Sequence, residues 1–131
     1  MCVARTNVDD AAQLTVADVV HKHFTTLSAN VSVSDVRAWF SASPHRRMAL
    51  LADDGRYAGS LTLRDLDGDP LAPAAKYAQQ GPTVAPDASA ELGYELAMRT
   101  DARRVPVVDA DGMLLGIVAI TDDEAGFCGT S

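Results

Sequence analysis

The residue pair with the clearest chemical potential is Thr62 and Asp65, three positions apart at the end of an apolar run. The run from Tyr57 to Thr62 predicts a strand, and we expect a helix to begin near Asp65. A hydroxyl and a carboxylate would then lie together at a helix N-terminus, where the helix dipole stabilises negative charge. Such a carboxylate can accept from both hydroxyls of a ribose, and each charge-assisted bond contributes about 1.5 to 3 kcal/mol.

Other residues supply what the rest of such a ligand would need. A purine ring needs apolar walls, and the candidates are Val84, Val105 and Pro106. Phosphate groups need cations, and the candidates are Arg46, Arg103 and Arg104. These residues stand far apart in the sequence, so the fold must bring them to Thr62 and Asp65.

An internal repeat indicates how the chain is organised. With an offset of 57 residues, 26–65 overlies 83–122 without a gap, and eight of the forty aligned positions are identical. The identical positions include both Asp-Gly pairs, an Arg-Arg pair and the final aspartates, Asp65 and Asp122. These residue types are needed at particular turns or for their charge, so their recurrence at one spacing favours two copies of one structural unit.

Length and composition exclude several classes of protein. At 131 residues the two halves are each too small to be stable alone, so we expect a shared core. Aromatic residues are 5% and the net charge is −7, which disfavours nucleic acid as a main partner. The longest apolar run, 113–120, is too short to span a bilayer. With no basic, apolar leader at the start, a cytoplasmic location is expected.

The cysteines and histidines predict no metal site. Cys2 and Cys128 lie near opposite ends of the chain and lack CxxC spacing, which favours reduced thiols. The alternative is a disulfide that ties the termini together or joins two chains. His21 and His23 are two positions apart and cannot share a helix face. We therefore expect no metal and no required cofactor.

Secondary structure follows from caps and periodicity. The sequence of each half predicts a leading helix, a short strand, a second helix, a strand, a hairpin turn and a further strand. The leading helices are expected at 15–22 and 73–80, and residues 1–12 are expected to form a loose arm. Ser32 and Ser89 are the predicted N-caps of the second helices. Asp54-Gly55 and Asp111-Gly112 predict the hairpin turns, and another helix is expected at each final aspartate.

Taken together, these residues resemble the cystathionine-beta-synthase (CBS) domain pair, or Bateman module, over nearly the whole chain. Residues 103–109 resemble the central strand of the family, and Gly116-Ile117-Val118 resembles the strand after its hairpin. Residues 59–65, Gly-Ser-Leu-Thr-Leu-Arg-Asp, fit the ligand motif of the family. The resemblance implies an α/β (α+β) fold of two βαββα repeats packed with pseudo-two-fold symmetry. Its bounds would be an arm at 1–13, repeats at 14–66 and 73–125, a linker at 67–72 and a tail at 126–131.

The resemblance also implies two clefts between the repeats, in which many relatives hold adenosine-containing ligands. By carry-over, the first cleft would use Thr62, Asp65, Thr83, Val84, Arg46, Arg103, Arg104, Val105 and Pro106. The second, weaker cleft would use Thr26, Leu27, Arg47, Met48 and Asp122. It departs from the family pattern, because Ala119 replaces the expected Ser or Thr and Ala49 replaces an expected Pro. Thr121 is a doubtful substitute, because it lies on the alternate side of the strand.

Three functions remain to be compared. The resemblance implies a regulatory module that binds AMP, ADP, ATP, S-adenosylmethionine or a similar ligand, forms a homodimer and signals to a separate partner protein. The alternative is a ligand-free dimerisation or protein-interaction module with degenerate clefts. Catalysis has little support, because the sequence contains no nucleophile elbow, P-loop or metal-spaced His/Glu cluster.

Overall fold

A computed structural model describes residues 4–22 and 24–128, which fold into two compact units. Residues 25–81 form one unit, and the described residues before 25 and after 81 form the other. The leading segment of each half therefore packs with the sheet of the other half. Each unit has its own apolar core.

The unit of residues 25–81 is built on a three-stranded sheet. Strand β2 (Leu27–Ser28) runs parallel to β3 (Ala49–Asp53), and β3 pairs antiparallel with β4 (Arg56–Leu61). Helix α2 (Val33–Ser41) lies between β2 and β3 in sequence, and its buried positions are Val33, Val36 and Phe40. These side chains share one helix face and join the core with Leu51 and Leu61. A 3-10 helix, Leu63–Asp65, follows β4, and another spans Ala74–Tyr77.

The other unit repeats this plan and adds both ends of the chain. Helix α3 (Ala90–Met98) precedes the antiparallel strands β5 (Arg104–Val108) and β6 (Leu114–Ala119). The short helix α1 (Val16–Val19) packs on α3. Strand β1 (Ala4–Asn7) pairs antiparallel with β7 (Gly126–Cys128), and a 3-10 helix, Val8–Gln13, follows β1 and packs on α3. The side chain of Phe127 is fully buried in this core.

A glycine in each hairpin allows another segment to cross it closely. Gln79 exchanges two backbone hydrogen bonds of 2.9 Å with Ser60, beside Gly59. His21 does the same with Ile117, at 2.7 and 3.1 Å, beside Gly116. A Cβ on Gly116 would lie 2.6 Å from the carbonyl oxygen of His21. Gly59 and Gly116 are 57 residues apart in the sequence, so the repeat preserves this close approach.

Several predictions about local structure are confirmed. Ser32 Oγ accepts from the backbone N–H of Asp35, and Ser89 Oγ accepts from that of Leu92, so both serines cap their helices. The Asp54-Gly55 pair makes the first hairpin turn with φ values of 52° and 80°. In the second hairpin, Gly112 has a φ of 85°. Asp and Gly suit these turns because both tolerate positive φ.

Other local predictions are wrong. The leading helices are only Val16–Val19 and a 3-10 helix at Ala74–Tyr77. Both helices end early because the backbone that follows each of them is extended and bonds to a strand. His21 bonds to Ile117 in β6, and Gln79 bonds to Ser60 in β4. No full helix follows Asp65 or Asp122: the first 3-10 turn ends at Asp65, and residues after Asp122 turn back into β7. Residues 4–13 are not loose, because they form β1 and a 3-10 helix.

The predicted reduced state of Cys128 is also wrong, because this cysteine is disulfide-bonded and buried. Cys2, the other cysteine of the sequence, and His23 lie outside the described residues. Within the described ranges, no group of three or more His, Cys, Asp and Glu side chains is placed to hold a metal ion. None of the helices described there is long and apolar enough to cross a membrane.

Candidate functional site

Thr62 and Asp65 come together as the sequence predicts. The backbone N–H of Thr62 donates to Oδ2 of Asp65 at 2.8 Å, and its Oγ1 donates to the same oxygen at 3.1 Å. Thr62 directly follows β4 and caps the 3-10 turn that contains Asp65. Both residues are half-buried. The pair therefore presents an oriented carboxylate at the end of a rigid strand.

A third residue, which the sequence analysis missed, completes this group. Nε2 of Gln79 donates to Oδ1 of Asp65 at 3.1 Å, so each carboxylate oxygen has at least one donor. The backbone of Gln79 is fixed by its two bonds to Ser60, and its carbonyl oxygen also accepts from the hydroxyl of Tyr57 at 3.2 Å. Burial raises the pKa of Tyr57, which keeps that phenol protonated as a donor. Gln79 lies 14 positions after Asp65, and no sequence motif points to it.

The other unit contains a similar hydroxyl–carboxylate pair outside the predicted site. The backbone N–H and Oγ1 of Thr15 donate to Oδ2 of Asp18 at 2.8 and 3.0 Å. These donors, the backbone N–H first, lower the pKa of Asp18. The geometry closely matches that of Thr62 and Asp65. A Thr-x-x-Asp cap is therefore a local folding device that needs a suitable surrounding to become a binding site.

Two of the three arginines predicted to meet phosphate, Arg46 and Arg103, interact with helix ends of their own units. Nη1 of Arg46 donates to the carbonyl oxygen of Trp39 at 2.5 Å, and its guanidinium lies 4.5 Å from the centre of the Trp39 ring. Arg103, its repeat equivalent, donates to the carbonyl oxygen of Met98 and forms a 3.2 Å ion pair with Glu124. Guanidinium groups stabilise helix C-termini in this way. A phosphate would have to share or displace these contacts.

The remaining residues of the first predicted site belong to the other unit, which combines the residues before 25 with those after 81. Val84 and Pro106 meet directly, because the N–H of Val84 donates to the carbonyl oxygen of Pro106 at 3.0 Å. Val84, Val105 and Pro106 are buried, whereas Thr83 is exposed. Nη1 of Arg104 donates to the carbonyl oxygen of Ala102 at 2.8 Å. Thr62, Asp65 and Arg46 belong to the unit of residues 25–81.

The predicted second site differs from the first in the bonds of its nearby hydroxyl, Thr121. Oγ1 of Thr121 donates to Asp123 at 2.5 Å and accepts from the N–H of Gly126 at 3.1 Å, so Thr121 does not pair with Asp122. Asp122 is exposed, and Ala119 is buried at the motif position. The other predicted members, Thr26, Leu27, Arg47 and Met48, lie in the unit of residues 25–81. Leu27 pairs with Leu51 in the sheet.

Asp123 instead closes the turn into β7, which makes that turn sensitive to acid. The Thr121 hydroxyl, followed by the backbone N–H of Ala125, holds the pKa of Asp123 below its ordinary value of 3.8. A carboxyl with a lowered folded-state pKa stabilises the fold above the ordinary value, and this contribution is lost as pH falls through the lowered value.

We therefore expect Asp123→Ala to unfold more easily than the unsubstituted chain near neutral pH, and the difference to shrink below about pH 4. Urea unfolding at about pH 6 and about pH 2.5 measures this difference. An equal difference at both pH values would show that ionisation of Asp123 does not stabilise the turn.

Comparison with known proteins identifies the fold. The CBS domain family model matches residues 16–67 and 76–122. A search of curated protein sequences found no match. Among solved structures, the cystathionine beta-synthase pair domain of a putative Mg²⁺ transporter from Shewanella oneidensis has a TM-score of 0.72 at 16% identity. That alignment covers 85% of this chain and 68% of the other.

Two further similar structures have informative ligands. CBSX2 from Arabidopsis thaliana has a TM-score of 0.69 at 22% identity, with 81% of this chain and 88% of that chain covered, and it has also been solved with AMP. The cytosolic domain of the Mg²⁺ channel MgtE, in complex with ATP, has a TM-score of 0.68 at 24% identity. That alignment covers 86% of this chain and 48% of the other. These likenesses confirm the predicted α+β fold class.

Proposed function

The chain belongs to the CBS domain family, and from that membership we propose that it is a regulatory module that binds an adenosine-containing ligand. The ligand class is an adenine nucleotide or S-adenosylmethionine, and the ribose is the part recognised at Asp65. The observation that carries the proposal is the oriented carboxylate of Asp65 beside the Thr62 hydroxyl. The AMP and ATP complexes of two proteins with this fold support the ligand class.

The chemistry of the site suits a ribose hydroxyl. Thr62 and Gln79 together make three donations to Asp65, and its two oxygens offer about four lone-pair positions. About one lone-pair position, on Oδ1, therefore remains for a ligand hydroxyl, and the existing donors hold the carboxylate in one orientation. Orienting the acceptor in advance reduces the entropy lost when a ligand binds. Within the unit of residues 25–81, Arg46 is the proposed phosphate contact. The contacts expected from the other unit, at Thr83, Val84, Arg103, Arg104, Val105 and Pro106, stay predictions from the sequence.

The second predicted site is proposed as the weaker one. Ala119 stands at the hydroxyl position of its motif, and the nearby Thr121 hydroxyl donates to Asp123. We therefore propose one main adenosyl site in each chain. A homodimer, a cytoplasmic location, a non-catalytic role and a separate regulated protein remain parts of the same proposal.

A ligand-free interaction module is the second candidate function. One observation favours it: the Thr15–Asp18 pair shows that the same hydroxyl–carboxylate geometry occurs as a plain helix cap. Thr62 and Asp65 would then only stabilise the turn after β4. This role predicts a loss of about 1 kcal/mol of folding stability for Asp65→Ala and no other effect.

A thermal-shift screen distinguishes the two functions. A ligand at a hundred times its dissociation constant stabilises the folded state by about 2.7 kcal/mol, which raises the melting temperature by several degrees. We expect such a shift with an adenine nucleotide or S-adenosylmethionine, and we expect Asp65→Ala to abolish it.

The matched control is Asp18→Ala, which removes the equivalent cap in the other unit. This variant should lose a similar amount of stability and keep the full ligand-induced shift. A flat screen, or an undiminished shift in Asp65→Ala, would favour the interaction module.

A further inference from the structure

Gln79 is the third member of the Asp65 group, and nothing in the CBS ligand motif of residues 59–65 specifies it. Its side-chain amide donates to Oδ1 of Asp65, the carboxylate oxygen to which neither donor of Thr62 is bonded. Without Gln79, Asp65 would be held through one oxygen only. The carboxylate could then rotate about the bond that connects it to the side chain.

The structure fixes Gln79 independently of Asp65. Its backbone N–H and carbonyl both bond to Ser60, which is buried, and Tyr57 donates to the same carbonyl. Because this backbone is already ordered by three hydrogen bonds, the contact with Asp65 costs only the side-chain freedom of Gln79, which is exposed. Gln79 can therefore transmit the rigidity of the β4 edge to the carboxylate of Asp65.

From this geometry we infer that Gln79 is a positioning residue for ribose recognition: it fixes the Asp65 carboxylate so that the remaining lone-pair position of Oδ1 can accept from a ribose hydroxyl. The inference rests on the proposed function. Gln79 acts through Asp65, so its contribution to affinity exists only for ligands that carry a ribose hydroxyl. The neighbouring Gln80 has a different role, because its Nε2 donates to the carbonyl oxygen of Ala58 at 3.2 Å.

The test compares two ligands and two variants by calorimetric titration. Gln79→Met keeps the length of the side chain and removes its donor, and Gln80→Met is the matched control. The ligands are AMP and 2′,3′-dideoxy-AMP, which lacks both ribose hydroxyls. We expect Gln79→Met to weaken AMP binding by about threefold to tenfold, the range expected for loss of one orienting contact. Binding of the dideoxy compound should be unchanged.

The controls separate positioning from general structural damage. Gln80→Met should bind both ligands like the unsubstituted chain, and Gln79→Met should add no further loss in a chain that already carries Asp65→Ala. An equal loss for both ligands would indicate a structural role, and unchanged AMP affinity in Gln79→Met would indicate no role. Either outcome overturns this inference alone. Failure of the unsubstituted chain to bind AMP or any other adenosine-containing ligand would overturn both this inference and the proposed function.

Discussion

Phe127→Ala is expected to destabilise the unit that combines the residues before 25 with those after 81 by about 3 to 5 kcal/mol, the usual cost of removing a buried aromatic ring. The Phe127 side chain is 1% exposed, and its ring meets that of Tyr94 edge-on with centroids 6.3 Å apart. The residue also anchors β7 between β1 and Ile120. Loss of the ring would leave a cavity that the sheet cannot close. Urea unfolding followed by far-ultraviolet circular dichroism measures the effect.

Tyr94→Phe is the matched control for this prediction. It keeps the ring that contacts Phe127 and removes only a hydroxyl that donates to the exposed Glu124 carbonyl oxygen at 3.3 Å. We expect a change within about 0.5 kcal/mol, as for most surface substitutions. A similarly small change for Phe127→Ala would mean that residues after Gly126 are a tail with no part in the core.

Gly116→Ala is the second substitution with a large expected effect. The new Cβ would lie 2.6 Å from both the carbonyl oxygen of His21 and Cγ2 of Val20. The backbone N–H and carbonyl oxygen of His21 are both hydrogen-bonded to the backbone of Ile117. The oxygen therefore cannot move away without breaking those bonds. Overpacking of this kind costs about 1 to 3 kcal/mol, and we expect the upper part of that range.

Gly81→Ala is the control for the glycine prediction, because an added Cβ there meets nothing within 4 Å. We expect it to be neutral or slightly stabilising, since alanine restricts the unfolded chain more than glycine does. Thermal unfolding of both variants under the same conditions gives the comparison. Equal melting temperatures would show that the backbone of His21 does not lie close against Gly116 in β6.

Much of the local structure could be predicted because it depends on short-range chemistry. The Asp54-Gly55 turn follows from backbone conformations that few residues tolerate, and the caps at Ser32 and Ser89 follow from the unpaired N–H groups of a helix start. The Thr62–Asp65 pair belongs to the same class, because a hydroxyl and a carboxylate three residues apart meet in one turn. The repeat then allowed each feature to be checked against its copy.

The remaining features depend on segments that are distant in sequence. The leading helices are short because each segment must straighten to bond with a strand of the other half, at Ser60 or Ile117. The same exchange brings Gln79 to Asp65. No local pattern records such a pairing. The hydroxyl of Thr121 donates to Asp123 because the chain turns there into β7. Nothing in the aligned repeat predicts that strand.

The arginines show why a type of residue alone does not define a phosphate site. Arg46 and Arg103 occupy equivalent repeat positions, and the sequence favours both as cations for a ligand. In the structure each donates to a carbonyl oxygen of the preceding helix, at Trp39 or Met98. A guanidinium has five N–H donors, so such a contact leaves others for a ligand. Their structural and ligand roles are therefore compatible.

The most direct test of the central claim is a calorimetric titration of AMP into the unsubstituted chain and into Asp65→Ala. We expect saturable binding that weakens at least about tenfold in the variant, because a charge-assisted bond to ribose contributes about 1.5 to 3 kcal/mol. Asp18→Ala, titrated in parallel, should bind like the unsubstituted chain. Equal affinity in Asp65→Ala, or no AMP binding by the unsubstituted chain, would contradict an AMP site at Thr62 and Asp65.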